Sequence, residues 1–255
     1  MDAEITFQPA GGRGSLRGLG TLVDRELKTF WGTRTWWVNL AVWTLFVQGL
    51  LVNSLVQAHG GAPGPEFMSV AMGLFGAFGV IILLHNALVG EKQSGTAAWV
   101  MSKPVSRAAF ILARLIGALG GYLLVLVGVE GALAFGVLAV AGHAVPIGPY
   151  VAALGMFALY LFFFVALSVF LGSLFNTRGP VLGIPLAAIF VIQLTHLDLS
   201  AIAPSVLTWG HSAINVSVSS GGSVTAEALM ASAIYVVLTT ALVGGAIFRF
   251  SREEF

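Results

Sequence analysis

The chain has 255 residues, 57% of them hydrophobic and only 9% charged, with a formal net charge of +1. An ordinary soluble domain carries about 25% charge, and so few ionic groups cannot cover the surface of a domain this size. The composition excludes a soluble globular enzyme, a disordered chain and a nucleic-acid binder. The absence of cysteine excludes disulfides, thiol nucleophiles and Cys-ligated metal sites, which leaves an all-α integral membrane protein.

Residues 1–14 read as a flexible tail. Asp2 and Glu4 stand in it, and no apolar run begins before Trp37, which argues against a secretory leader. In residues 15–36, Leu16, Leu19, Val23, Leu27 and Phe30 recur at helical spacing, with Arg17, Asp24, Arg25 and Lys28 on the other face. This pattern predicts an amphipathic helix lying in membrane lipid at the inner interface. Thr21 with Asp24 resembles a capping box, and Trp31, Trp36 and Trp37 follow where an aromatic belt belongs. The alternative is a solvated helix whose apolar face needs a protein partner.

A bilayer core of about 30 Å takes about 20 apolar residues per helix. Residues 37–255 hold six such runs: Trp37 to Gln57, Met68 to Gly90, Phe110 to Val140, Tyr150 to Phe175, Pro180 to Thr195 and Ala228 to Phe248. The fifth is the shortest. The breaks at 59–66, 142–149 and 198–227 contain no Lys or Arg, so a six-span chain carries all twelve basic residues on one side. The positive-inside rule then predicts both termini in the cytoplasm and an external loop at 198–227.

The cytoplasmic loop at 91–107 is too long for a tight turn. Gly95 breaks the second run, Thr96 to Ser102 can form two helical turns, Pro104 stops them, and Ser106 can cap the next helix. Ala97, Trp99, Val100 and Met101 give this short helix an apolar surface, which suits a docking peg for a cytoplasmic protein; a solvated connecting loop is the alternative. Glu91 and Arg107 flank it, available to pair with each other or with that partner.

Glu91, Gly95-Thr96 and Ser102-Lys-Pro-Val-Ser-Arg107 resemble the signature of ABC-2 family transporter permeases. Arg25-Glu26-Leu27 is similar to the family's N-terminal elbow, and 172–178 to its link between spans four and five. The resemblance implies a type V exporter-like fold in a prokaryotic cell membrane, two permease subunits, identical or not, and two cytoplasmic ATPase subunits. It makes 91–107 the coupling loop that rests on the ATPase. It also implies that ATP and Mg are bound by that partner and that this chain binds no cofactor and is not an enzyme by itself. Gly90 to Thr96 has the two glycines of a P-loop at the right spacing, but Thr96 replaces the lysine that holds phosphate.

Within the membrane Glu130 stands out, because a charge at the bilayer centre costs about 2.5–3.5 kcal/mol. Lying sixteen residues beyond Arg114, it falls about 24 Å further along a helix. Gly117, Gly121, Gly128 and Ala132 form a small-residue stripe on the opposite face. Glu130 reads either as a substrate or proton site or as a neutral acid bonded to a neighbouring helix. His85, inside the second run, is the other candidate for the pathway, and the two together are the residues an intramembrane enzyme or ion-coupled carrier would use. A third reading is a permease-like subunit that passes ATPase motion to an external partner without transport. His59, His143, His196 and His211 match no standard metal spacing.

Overall fold

The long apolar runs of this sequence form helices, and among the described residues there is no strand. The computed structural model describes residues 16–57, 64–142, 146–195 and 226–253. The external loop at 198–227 therefore lies almost wholly outside the described residues, and His59, His143, His196, His211 and the whole N-terminal tail at 1–14 lie outside them.

Helix α1 spans Leu19–Trp31, α2 Thr35–Gln57 and α3 Gly64–Leu84. Two short helices follow, α4 at Val89–Gln93 and α5 at Thr96–Met101. A long rod then runs from Arg107 to Val140: α6 (Arg107–Ala118), a π-helical stretch (Leu119–Val129) and α7 (Glu130–Val140). Helices α8 (Ile147–Leu174), α9 (Arg178–Thr195) and α10 (Ala226–Ser251) complete the described chain.

Among the described residues, five stretches are long and apolar enough to cross a membrane: Thr35–Val56, Leu74–Gln93, Arg107–Val140, Ile147–Leu174 and Ser232–Ser251. Helix α9 is apolar but short, with 18 residues and Pro185 inside it. At 1.5 Å per residue it reaches about 27 Å, just under the hydrocarbon thickness.

Helix α8 forms the centre of the bundle. Phe157, Tyr160, Leu161, Phe164 and Val165 are all buried along it. Its aromatic face meets α10, where Tyr235 lies 6.0 Å from Tyr160 and 5.4 Å from Phe163 between ring centroids. Its other neighbour is α3, which approaches closely because Gly76 has no side chain; a Cβ there would stand 3.1 Å from Phe157. On α3, Gly79 likewise makes room for Trp43 of α2. Gly76 and Gly79 thus serve packing.

Helix α1 departs from the sequence expectation at its start. Its N-cap is Gly18, in the left-handed region at φ 83, and no side chain caps it. Thr21 and Asp24 form no capping box, because the chain turns three residues earlier against Val105, and Asp24 is paired with Lys28 at 2.7 Å. The helix also packs against the bundle. Leu22 and Phe30 are buried, and Glu26 lies on the same inward face. The partner that an apolar face requires is this chain's own α6.

The small-residue stripe opposite Glu130 is also corrected. Gly117, Gly120 and Gly121 seat Glu26, Leu27 and Phe30 of α1, within 3 Å of where a Cβ would be. Gly128 and Ala132 are exposed. A wheel drawn at 3.6 residues per turn loses phase through the π-helical stretch, whose bonds run i→i+5.

Candidate functional site

The candidate site lies where the Lys and Arg residues gather, at one end of the bundle. It begins with Gly95. The chain must reverse between two short helices there, and Gly95 does so at φ 73, a conformation costly for any side chain. Ser94 Oγ and Thr96 Oγ1 lie 2.8 Å apart across the turn. Helix α5 then buries Ala97 and Val100, keeps Met101 half-buried and turns Trp99 outward at 63% exposure. Lys103 Nζ sits 5.0 Å from the centre of the Trp99 ring. Pro104 is exposed and follows the helix end. Ser106 accepts the Ala109 N–H at 3.1 Å, the cap that starts α6.

Beneath α5 the sequence brings four charges together. Glu91 Oε1 accepts Arg25 Nη2 at 3.1 Å and also pairs with Arg114 Nη2. Arg114 Nη1 donates to Glu26 Oε2 at 2.8 Å. One guanidinium thus holds a carboxylate on each prong, one from α1 and one from α4. Glu91, Arg114 and Glu26 are 12%, 16% and 19% exposed, whereas Arg25 is 42% exposed. Burial pushes the Glu26 carboxyl above its ordinary value. Arg114 opposes that shift, Glu91 adds to it and Arg25 draws it down.

The neighbouring Lys92 is tied just as firmly. Its Nζ meets Glu253 at 2.6 Å and the Gly172 carbonyl at 3.4 Å. Gln93 Nε2 donates to the Asn176 carbonyl at 2.8 Å. Helix α4 is therefore fastened to the end of α10 and to the α8–α9 turn as well as to α1.

These contacts revise the expected pairings. Arg25, Glu26 and Glu91 come together, but Glu91 does not pair with Arg107. Arg107 instead donates to the Phe250 carbonyl at 3.4 Å and to the Ser251 carbonyl, neutralising the carbonyl end of α10. Arg114, Lys92 and Glu253 were not foreseen as site residues. Arg114 carried a signal: an arginine two turns inside an apolar helix requires a carboxylate, which Glu26 and Glu91 supply.

Glu130 and His85 are not brought together. Glu130 is fully buried; Thr44 Oγ1 donates to Oε1 at 2.6 Å and Gln48 Nε2 to Oε2 at 2.9 Å. Gln48 Nε2 also reaches the Glu130 backbone carbonyl at 3.1 Å. The residue is a clasp between α2 and α7. His85 lies just past the end of α3, with Nδ1 2.6 Å from the Ile82 carbonyl. Glu130→Gln is expected to retain transport and to change stability by about 1 kcal/mol or less. Glu130→Leu strands two donors at about 1–3 kcal/mol each. Thermal unfolding of the purified variants measures this; loss of transport by the Gln variant at unchanged stability overturns the clasp.

A family model described as ABC-2 family transporter protein matches residues 55–248. The match takes in Glu91, α5, Arg107, Arg114 and Glu130, while α1 lies ahead of it. Comparison with curated proteins gives no match. With five apolar spans among its described residues and a family match over most of its length, the chain belongs to the ABC-2 family of transporter proteins, as a multi-pass membrane permease of the ABC class.

Proposed function

We propose that this chain is the permease subunit of an ABC exporter, working as a dimer of permeases driven by separate cytoplasmic P-loop ATPases that bind ATP and Mg. Six helices cross the membrane, α9 being the one outside the five long spans, and both termini are cytoplasmic. The observation that carries the reading is Trp99, exposed on a short helix that is seated by buried Ala97 and Val100 and follows α4, which paired charges hold in place. A large aromatic residue displayed on so anchored a support fits an interface anchor better than a residue of a loose connector. The twelve basic residues on one side support the orientation.

Purification of the chain from its native membrane tests the reading: a P-loop ATPase is expected to come with it in equal copy. Recovery of the chain with no ATPase overturns it. Orientation has its own measurement, made clean by the absence of native cysteine. Cysteines at Gly61 or Ser219 are expected to react with an impermeant thiol reagent from outside sealed cells, and one at Ser94 is not. Gly142 is unsuitable as a labelling site because its φ of 83 strains any side chain.

A further inference from the structure

Helix α4 is only five residues long and buries one apolar side chain, Val89, so its seat depends on the charged residues beside it. Glu91 and Lys92 are consecutive and point about 100° apart around the helix, which braces it from two sides. Glu91 takes α1 and α6, through Arg25 and Arg114. Lys92 takes Glu253, two residues beyond the end of α10, at 2.6 Å. This is the least exposed ion pair among the described residues, at 7% and 14% for the two side chains. Glu253 Oε2 is buried with no hydrogen-bond partner among the described residues, so Lys92 is the counter-charge that holds this carboxylate. Helix α4 shares no broad packed face with α10, which leaves the pair as their main link.

From Glu253 onward the contacts are close. Arg107 holds the last carbonyls of α10, and Phe110 stacks on Phe250 with ring centroids 5.2 Å apart. Helix α10 packs along α8 more extensively than any other two elements of the described chain. Phe170 fills the space beside Gly245, and Tyr235 meets Tyr160.

We propose that Lys92 and Glu253 are positioning residues that link the docking helix to α10, so that a displacement of α5 reaches the centre of the membrane bundle through α10. This role rests on the chain being driven by separate cytoplasmic ATPases. Helix α5 follows α4 across only Ser94 and Gly95, so a partner seated on Trp99 pulls on α4. A shielded ion pair resists that pull, because parting its members leaves each charge uncompensated away from water.

The test uses the full permease–ATPase complex in nanodiscs, with bimane attached at Val237→Cys, an exposed position on α10. The complex with the cysteine-free parent permease gives the background. Trapping with ATP and orthovanadate is expected to change the bimane fluorescence. Lys92→Met combined with Glu253→Gln removes both charges together, which spares the fold an unpaired buried ion. This variant is expected to keep its ATPase, to unfold within a few degrees of the parent and to lose most of the fluorescence change. Glu253→Gln alone keeps the shape of the side chain and is the second variant, with the same loss expected. Lys28→Met, which breaks the exposed pair with Asp24, is expected to keep the change. A full change in either folded, ATPase-bound variant of the pair overturns the link. Loss of the ATPase from these variants overturns it too, since the pair would then serve the docking surface. No change in the parent complex while its ATPase hydrolyses ATP overturns α10 as the element moved. Absence of any ATPase from the parent chain overturns the ATPase-driven reading itself, and this role falls with it.

Discussion

Trp99→Glu is expected to release the ATPase from the permease while leaving the permease folded and inserted. Trp99 makes no contact that the bundle needs; the buried residues of α5 are Ala97 and Val100. Its ring is therefore free to enter a partner's pocket, with Lys103 beside it to set its angle. Aromatic anchors of this kind dominate interfaces, and truncation costs about 2 kcal/mol or more, roughly a thirtyfold weakening. Trp99→Ala should show that thirtyfold effect. Trp99→Glu goes further, because it places a carboxylate in a desolvated contact with nothing to pair it. Co-purification of the ATPase and transport-linked hydrolysis are the readouts. Retention of the partner and full coupling by both variants would make Trp99 a membrane-belt residue and remove the docking role of α5.

The second large effect is expected at Arg114. Its guanidinium holds Glu26 on one prong and Glu91 on the other, and all three groups are largely shielded from water. Arg114→Gln leaves two neighbouring carboxylates with only the exposed Arg25 between them and solvent. Breaking a buried pair from one side costs about 3–5 kcal/mol. Arg25→Gln removes a contact that is 42% exposed on the arginine side and should cost about 1 kcal/mol or less. At about 2–4 °C per kcal/mol, the Arg114 variant is expected to unfold roughly 10 °C lower and the Arg25 variant within a few degrees of the parent. Arg114→Lys should fall between them, since an ammonium cannot span both carboxylates as the planar fork does. Equal losses for Arg25→Gln and Arg114→Gln would mean that the charges act as independent surface pairs.

Much of this arrangement was legible in the sequence, and its limits follow from the physics. Apolar runs announce spans because lipid forces every backbone group to be paired within the segment. Gly95 announces the turn between two short helices and Ser106 the start of the long rod, because left-handed backbone and N-caps each select few residue types. Thr21 misled because a capping box is a local pattern, whereas the start of α1 is set by Gly18 packing on Val105, far along the chain. The Arg107 pairing misled for the same reason: proximity in sequence suggested Glu91, and the fold supplied the last carbonyls of α10. The π-helical stretch left no sign in composition, so the positions beyond it were assigned to the wrong face. Arg114 was the most readable of the omissions, since a cation among apolar residues demands an answer from somewhere in the chain.

The way α1 is secured bears on which membranes can host the protein. An amphipathic helix held only by the bilayer depends on anionic lipids and comes loose as salt rises. Here the outward charges of α1 cancel locally, Lys28 against Asp24, and its inward acid is clamped by Arg114. Its aromatic end is fastened too, through the Trp31 indole N–H to the Gly120 carbonyl at 3.1 Å. The helix should keep its seat in a neutral bilayer, in detergent and in a high-salt wash, so reconstitution need not reproduce the surface charge of the source membrane.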